Sequence, residues 1–175
     1  MRHVDVRNVG AGIALNARVV NGVIAALITI IFLVHGAMGS LSSVFGFTNS
    51  FPWVVWIAVV LAGIHVAVSL LTSAQQLNDK ERPPSRRKKA HLALKWATGG
   101  LLALVAIVHI ILPKSTSAFA YVIIAVSIAL AAHLCTVAKS LFSDLGFDKR
   151  WKWPFRVVVC LCAFLFCLAM LKGVL

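Results

Sequence analysis

The stretch VVNGVIAALITIIFLVHGAMGS, residues 19–40, is long and apolar enough to cross a lipid bilayer and carries a histidine near its end. A membrane-spanning helix needs about 20 predominantly apolar residues. Four further apolar segments of similar length follow in the chain. We therefore predict five membrane-spanning helices, at about residues 18–44, 51–75, 92–112, 117–142 and 153–173.

The composition agrees with a membrane protein. Hydrophobic residues make up 61% of the 175 residues and the mean hydropathy is +0.94, whereas soluble domains are about 45–50% apolar. The apolar runs lack the alternation of a membrane β-barrel, and the first is too long for a cleaved signal peptide. The longest polar stretch is only the loop from Gln75 to His91. We predict an all-α membrane protein whose residues 1–175 form one domain.

The basic residues predict the orientation of the helices. The net charge is +12, and if the N-terminus is cytoplasmic, fifteen of the seventeen lysines and arginines fall on the cytoplasmic side. Only Lys114 and Lys172 fall outside, which is the pattern of the positive-inside rule. The N-terminus is then cytoplasmic and the C-terminus outside. We expect the basic loops 79–91 and 148–156 to meet anionic headgroups or a partner subunit, and not nucleic acid.

Histidines are placed one per helix in the first four predicted helices, and the fifth has none. An ionisable residue inside a membrane segment is costly and suggests a functional site. An interhelical hydrogen bond would explain any single histidine equally well, but the even distribution favours a shared role. The four residues are His35, His65, His109 and His133.

Two of these histidines lie at one depth near the outer side. The first and third helices run outward, and His35 follows Arg18 by the same number of residues as His109 follows Leu92. With a rise of about 1.5 Å per residue, both are about 25 Å from the inner face. They form the predicted outer pair.

The other two histidines lie at one depth near the inner side. The second and fourth helices run inward, starting near Phe51 and Ser117. At the same rise per residue, His65 and His133 are about 21–24 Å from the outer face of a bilayer core that is about 30 Å thick. They form the predicted inner pair, about 15 Å from the outer pair.

Two imidazoles facing each other at one depth are what a bis-histidine haem requires. A neutral imidazole donates a lone pair to iron, and iron with both axial positions filled is suited to electron transfer. We therefore predict two b-type haems, held by His35 with His109 and by His65 with His133. Two such haems at different depths would form an electron path across the membrane.

Polar residues near the inner pair are candidates to hold haem propionates. Asn21 precedes His35 by nearly four helical turns, and Lys95 precedes His109 by the same interval. Each therefore shares its histidine's face about 21 Å deeper. Ser140 lies two turns after His133. We expect Asn21, Lys95 and Ser140 to bind an inner propionate through charge-assisted hydrogen bonds; snorkelling of Lys95 to the interface is the alternative.

Small residues are frequent near the four histidines. They would let the helix backbone approach a flat macrocycle closely, but ordinary helix packing would explain them equally well. They are Gly36, Gly39, Gly63, Gly99, Gly100 and Ala129.

All four cysteines lie in apolar helices, and no Cys-x-x-Cys-His motif for covalent haem attachment occurs. We expect them to be buried small hydrophobic residues, with metal ligation by Cys160 and Cys162 as the alternative. The remaining two are Cys135 and Cys167.

This histidine pattern resembles the dihaem cytochrome b membrane anchor of the succinate dehydrogenase and fumarate reductase family, in its single five-helix version. That family carries one haem ligand on each of its first four helices and pairs the first with the third and the second with the fourth. The resemblance covers the whole chain in topology. It implies a bacterial cytoplasmic membrane protein that exchanges electrons with menaquinone or another quinone and does no dicarboxylate chemistry itself. It also implies a flavoprotein and an iron–sulfur subunit docked on the cytoplasmic face.

The acidic residues depart from this family. Some members use membrane glutamates for quinone binding and proton return, whereas all five acids of this chain are predicted to be cytoplasmic. This placement argues against a carboxylate proton path. Tryptophans near the helix ends, including Trp151 and Trp153, suit an interfacial belt. The residues left for an outer quinone site are Ser40, Ser43, Asn49, Trp53, Trp56, Lys114 and Tyr121.

Two other interpretations stay open. Dihaem subunits of nitrate reductases, formate dehydrogenases or hydrogenases often place two ligands on one helix, and a related reductase with a different partner would keep the same fold. A haem-free transporter or assembly factor would predict internal repeats, broken helices or a carboxylate at mid-membrane, none of which is evident in the sequence.

Overall fold

The computed structural model of the chain describes residues 6–46, 52–79 and 83–172. Across these residues the regular secondary structure is entirely helical, which confirms the predicted all-α class. Five helices are long and apolar enough to cross a membrane. They are α1 (Val6–Phe45), α2 (Pro52–Leu77), α3 (Arg86–Ile111), α4 (Ala118–Asp144) and α5 (Lys152–Lys172), with a single 3₁₀ turn at Lys149–Trp151 before α5.

The helix ends differ from the predicted ones mainly where polar residues extend an apolar segment. The α1 helix begins at Val6, well before the predicted start, although its apolar span begins at Ala17. The α3 helix begins at Arg86 and not at residue 92, because the Ser85 hydroxyl accepts a hydrogen bond from the Lys88 amide at 3.3 Å and caps it. The basic run after Pro84 is therefore helical and continues into the membrane span.

The helices pack through small residues and leave large apolar side chains on the outside. The α1 helix packs against α2, α4 and α5, and α4 also packs against α3 and α5. Ala58, Ala129 and Ala138 are among the most buried side chains, whereas Leu104 is 60% exposed. Apolar exteriors with small-residue contacts are expected of helices surrounded by lipid.

The helices that carry each predicted histidine pair do not pack directly on each other. Among the described residues, α1 makes at most marginal contact with α3, and α2 makes at most marginal contact with α4. Directly packed helices lie about 8–10 Å apart, so each predicted pair is carried by helices that are not directly packed on each other.

Candidate bis-histidine sites

The outer pair shares a cavity. His35 of α1 and His109 of α3 both line a cavity of about 440 Å³, together with apolar residues of α2 such as Val59. The Phe119 ring at the start of α4 stacks on the His109 ring, with centroids 5.2 Å apart and planes 26° apart. The two partners predicted from depth thus line the same, mostly apolar cavity.

The His109 ring has a nitrogen atom without a hydrogen-bond partner. Its Nδ1 atom is buried and has no hydrogen-bond partner among the described residues. Buried polar atoms are nearly always paired in folded proteins, and each exception calls for an explanation. An imidazole without a protein partner beside an apolar cavity fits a site for a ligand that contacts the ring.

In the inner pair, two residues of α3 fix the His133 ring. The Thr98 hydroxyl lies 3.1 Å from His133 Nδ1. A Cβ atom added to Gly99 would lie 3.1 Å from His133 Cε1, so the glycine lets the ring approach the α3 backbone. If Nδ1–H donates to Thr98, the lone pair of the imidazole is left on Nε2, which is the arrangement of metal-binding histidines.

His65 of α2 completes the inner pair. It lies close enough to His133 for the two rings to interact electrostatically, and its ring contacts the backbone of Asn21. His65 Nδ1 is also buried without a hydrogen-bond partner in the described part of the chain. Like His109, His65 has a ring nitrogen that the protein leaves unpaired.

These features fit two bis-histidine haems. Each pair has its imidazoles on two helices that are not packed directly on each other, the Thr98 contact at His133 Nδ1 leaves Nε2 available, and the cavity of the outer pair is mostly apolar. Four donors of this kind could hold two macrocycles with two axial ligands each.

The candidate propionate residues take part in two separate hydrogen bonds. Lys95 donates a hydrogen bond from Nζ to Ser140 Oγ at 2.8 Å, as the predicted cluster required. Asn21 instead donates to Ser69 Oγ at 3.1 Å, because that face of α1 packs on α2. The structure thus joins Lys95 to Ser140 but not to Asn21, and the role of these three residues in binding a propionate stays a prediction. Lys95 also interacts electrostatically with Asp144 and Arg18, so the inner end carries an acid close to the lysine.

Two of the seven quinone candidates line the cavity of the outer pair, namely Trp56 and Lys114. Asn49 lies outside the described residues. The remaining candidates are not part of that cavity wall: Ser40, Ser43, Trp53 and Tyr121. Trp53 and Trp56 are 59% and 60% exposed, in keeping with interfacial positions.

Sequence reasoning missed several polar residues that join the helices at the inner end. Ser69 and Ser73 lie about one and two turns after His65, and Ser73 accepts a hydrogen bond from Trp96 Nε1 at 3.3 Å. Thr98 lies about three turns before His109 on the same face of α3. Helical spacing from each histidine would have found all three hydroxyls.

The glycines near the histidines have different surroundings. A Cβ atom on Gly36 would lie 2.6 Å from Phe166 Cε2, so this glycine serves the contact of α1 with α5 and not space beside His35. Nothing lies within 4 Å of an added Cβ atom at Gly39, Gly63 or Gly100 among the described atoms. Of the glycines in the described part of the chain, Gly99 alone faces a histidine.

The cysteines are less buried than expected. Cys160 is exposed, and the other three are only partly buried. The Sγ atom of Cys160 lies 3.7 Å from Sγ of Cys135 on the neighbouring helix α4. The prediction of buried small hydrophobic residues is therefore wrong, because the packing of α5 on α4 leaves these positions at the surface of the bundle. The neighbour of Cys160 is Cys135, not Cys162.

A scan of protein-family models, a search of curated proteins and a search of solved structures each found no significant match to this chain.

Proposed function

We propose that this chain is the membrane-anchor cytochrome b subunit of a succinate dehydrogenase or fumarate reductase type of complex. It would carry electrons between a quinone and a cytoplasmic pair of iron–sulfur and flavoprotein subunits. The observation that supports the proposal is the pairing of the four membrane histidines: His35 and His109 line one cavity, and His65 lies near His133, although the helices of each pair do not pack directly on each other.

His35 with His109 would hold one b haem, and His65 with His133 would hold the other. A haem held by two imidazoles supplies reversible one-electron transfer. The protein orients its ligands: Thr98 fixes the His133 ring through Nδ1, and Phe119 supports the face of the His109 ring. Most of the residues that line the cavity of the outer pair are apolar.

Lys95 and Ser140 would bind a carboxylate of the inner haem. Their hydrogen bond shows that the lysine ammonium and the serine hydroxyl reach the same point between α3 and α4. A charge-assisted hydrogen bond from an ammonium to a carboxylate is stronger than one to a neutral hydroxyl. The nearby charges of Asp144 and Arg18 offset each other around this point.

A quinone would bind beside the outer pair. Lys114 and Trp56 line the cavity that contains His35 and His109. The lysine can donate to a quinone carbonyl oxygen, and the indole offers a flat apolar face to the quinone ring. Lys114 and Trp56 would take the place of the membrane glutamate that some members of the family use. Among the described residues, the acid nearest to an apolar span is Asp144, at the inner end of α4.

The cytoplasmic partners would dock on the basic inner surface. The start of α3 presents exposed basic residues at Arg86 and Arg87, and the turn before α5 adds exposed Arg150. Positive charge on one face steers and holds a partner of opposite charge.

Purification from native membranes tests this proposal. A tagged chain should bring down a flavoprotein and an iron–sulfur protein, and succinate should reduce a b-type absorbance in the purified complex. Replacing Arg86 and Arg87 with Glu should reduce recovery of these partners at least several-fold, whereas Lys172→Glu, predicted on the other side, should not. Recovery of a different quinone-linked reductase would contradict the family assignment, and recovery of no redox protein would contradict the anchor role.

A further inference from the structure

The α4 and α5 helices bring two thiols together inside the predicted membrane span. Cys135 Sγ and Cys160 Sγ lie 3.7 Å apart, although 25 residues separate them in the chain. A disulfide bond is about 2.05 Å long. The two sulfur atoms therefore need to approach by about 1.7 Å for the bond to form.

A charged side chain fixes the two helices at this point. Arg156 lies one turn before Cys160 on α5 and donates a hydrogen bond from Nε to the backbone carbonyl of Cys135 at 2.9 Å. The guanidinium also lies over the Trp153 ring, 5.3 Å from its centroid. The contact sets the register between α4 and α5 directly at the thiols.

The depth of the thiols limits which oxidants can reach them. Cys135 lies between two and three turns before Asp144, the last residue of α4, and Cys160 lies about as far after Lys152, the first of α5. Both sulfur atoms are therefore about 12–13 Å inside the helix ends. Cys160 is exposed on the surface of the bundle, which at this depth faces lipid.

We propose that Cys135 and Cys160 form a reversible dithiol–disulfide pair that exchanges two electrons with a quinone dissolved in the bilayer. On oxidation the two S–H bonds break and one Sγ–Sγ bond forms. The two electrons and two protons pass to the quinone, whose two carbonyl oxygens become the hydroxyls of a hydroquinone. The reverse reaction restores both thiols. A quinone suits this site because it is a two-electron oxidant that dissolves in lipid.

The disulfide would covalently join α4 to α5 two residues after His133. The proposed reaction involves only the two thiols and a quinone, so it does not depend on the proposed haems. Cys162 and Cys167 provide internal controls, because they lie on the same helix as Cys160.

Thiol counting on the chain in lipid vesicles tests the proposal. After reduction, the chain is treated with duroquinone, a fully methylated quinone, or with glutathione disulfide added to the water phase. It is then denatured, and free thiols are tagged with a maleimide that adds mass. Duroquinone should lower the tagged thiols from four to two, glutathione disulfide should leave four, and peptide mass analysis should find Cys135 joined to Cys160.

Variants of the cysteines give the matched comparison. Cys162→Ser and Cys167→Ser should each lose two of three thiols, whereas Cys135→Ser and Cys160→Ser should keep all three. The double change Cys160→Ser with Leu161→Cys moves the thiol about 100° around α5 and should keep all four. The proposal is overturned if duroquinone leaves four thiols in the wild-type chain, if the bond involves Cys162 or Cys167, or if only glutathione disulfide forms it.

Discussion

At the scale of single residues, His133 has the most completely defined surroundings of the four membrane histidines. Thr98 lies within hydrogen-bonding distance of its Nδ1 atom, Gly99 admits the edge of its ring, and His65 lies close enough to influence it electrostatically. Two neighbouring residues of α3 therefore control the position and the electronic character of one proposed iron ligand.

Removing the Thr98 hydroxyl should change the reduction potential of one haem. A hydroxyl that accepts the Nδ1–H bond raises the basicity of the imidazole, which favours ferric iron. Thr98→Val should therefore raise one of two midpoint potentials by tens of millivolts, where about 59 mV corresponds to a tenfold effect. Thr98→Ser keeps the hydroxyl and should leave both potentials near the wild-type values. A redox titration of the b-type absorbance measures this, and equal shifts in the two variants would contradict it.

Replacing Gly99 with Ala should displace the His133 ring. The added methyl would lie 3.1 Å from Cε1, closer than ordinary van der Waals contact, whereas nothing lies within 4 Å of the same methyl at Gly100. Both substitutions gain about 1 kcal/mol of helix propensity, so the difference between them isolates the contact. Gly99→Ala should lower the haem content of the purified chain, and Gly100→Ala should not. The same haem content in both variants would show that Gly99 does not position the ring.

The four histidines and their pairing were predictable from the sequence because helix rise converts residue number into depth. The contact of Asn21 with Ser69 was not predictable, since depth does not specify which neighbouring helix a face packs against. The Thr98 contact with His133 was also missed, although the position of Thr98 three turns from His109 on one face gave a usable signal.

At the scale of helices, a partly buried hydrogen bond joins α4 to α5. Arg156 Nε donates to the Cys135 carbonyl at 2.9 Å, and this is a contact between two membrane helices. Arg150 offers the comparison, since its ion pair with Asp148 at 3.2 Å lies at the surface, with side chains 77% and 56% exposed.

Replacing Arg156 with Met should destabilise the bundle more than the same change at Arg150. Interhelical hydrogen bonds in membranes contribute about 0.6 kcal/mol on average and up to about 1.7 kcal/mol, and hydrogen bonds to charged groups tend to be the stronger ones. We expect Arg156→Met to lower the free energy of unfolding by about 1 kcal/mol. Exposed ion pairs contribute about 0–1 kcal/mol, so Arg150→Met should have little effect. Thermal unfolding of the two variants in the same detergent measures this difference. Equal melting temperatures would contradict the role of Arg156.

The number of helices and their apolar spans were predictable because each span is an uninterrupted run of apolar residues. The start of α3 was not, because hydropathy does not report a capped basic extension such as Arg86–His91. The burial of the cysteines was predicted wrongly for a related reason. Hydropathy places a residue inside the membrane without distinguishing the interior of the bundle from the surface that faces lipid.

At the scale of the whole molecule, five apolar helices make this a multi-pass membrane protein, and four of these helices each carry one of the paired histidines. The proposal for function depends on a group that joins the two histidines of each pair. Two haems with two ligands each would account for the four histidines and for the two depths predicted from the sequence.

The most direct test is the reduced-minus-oxidised visible spectrum of the purified chain, combined with its haem content. We predict a b-type signal with two haems per chain, and one haem in His35→Ala or in His65→Ala. The double variant with His35 and His109 both changed to Ala should keep one haem, because both residues serve the same haem, whereas changing His35 with His65 should remove both. A folded chain without a b-type signal, or loss of both haems when only His35 and His109 are replaced, would contradict the account.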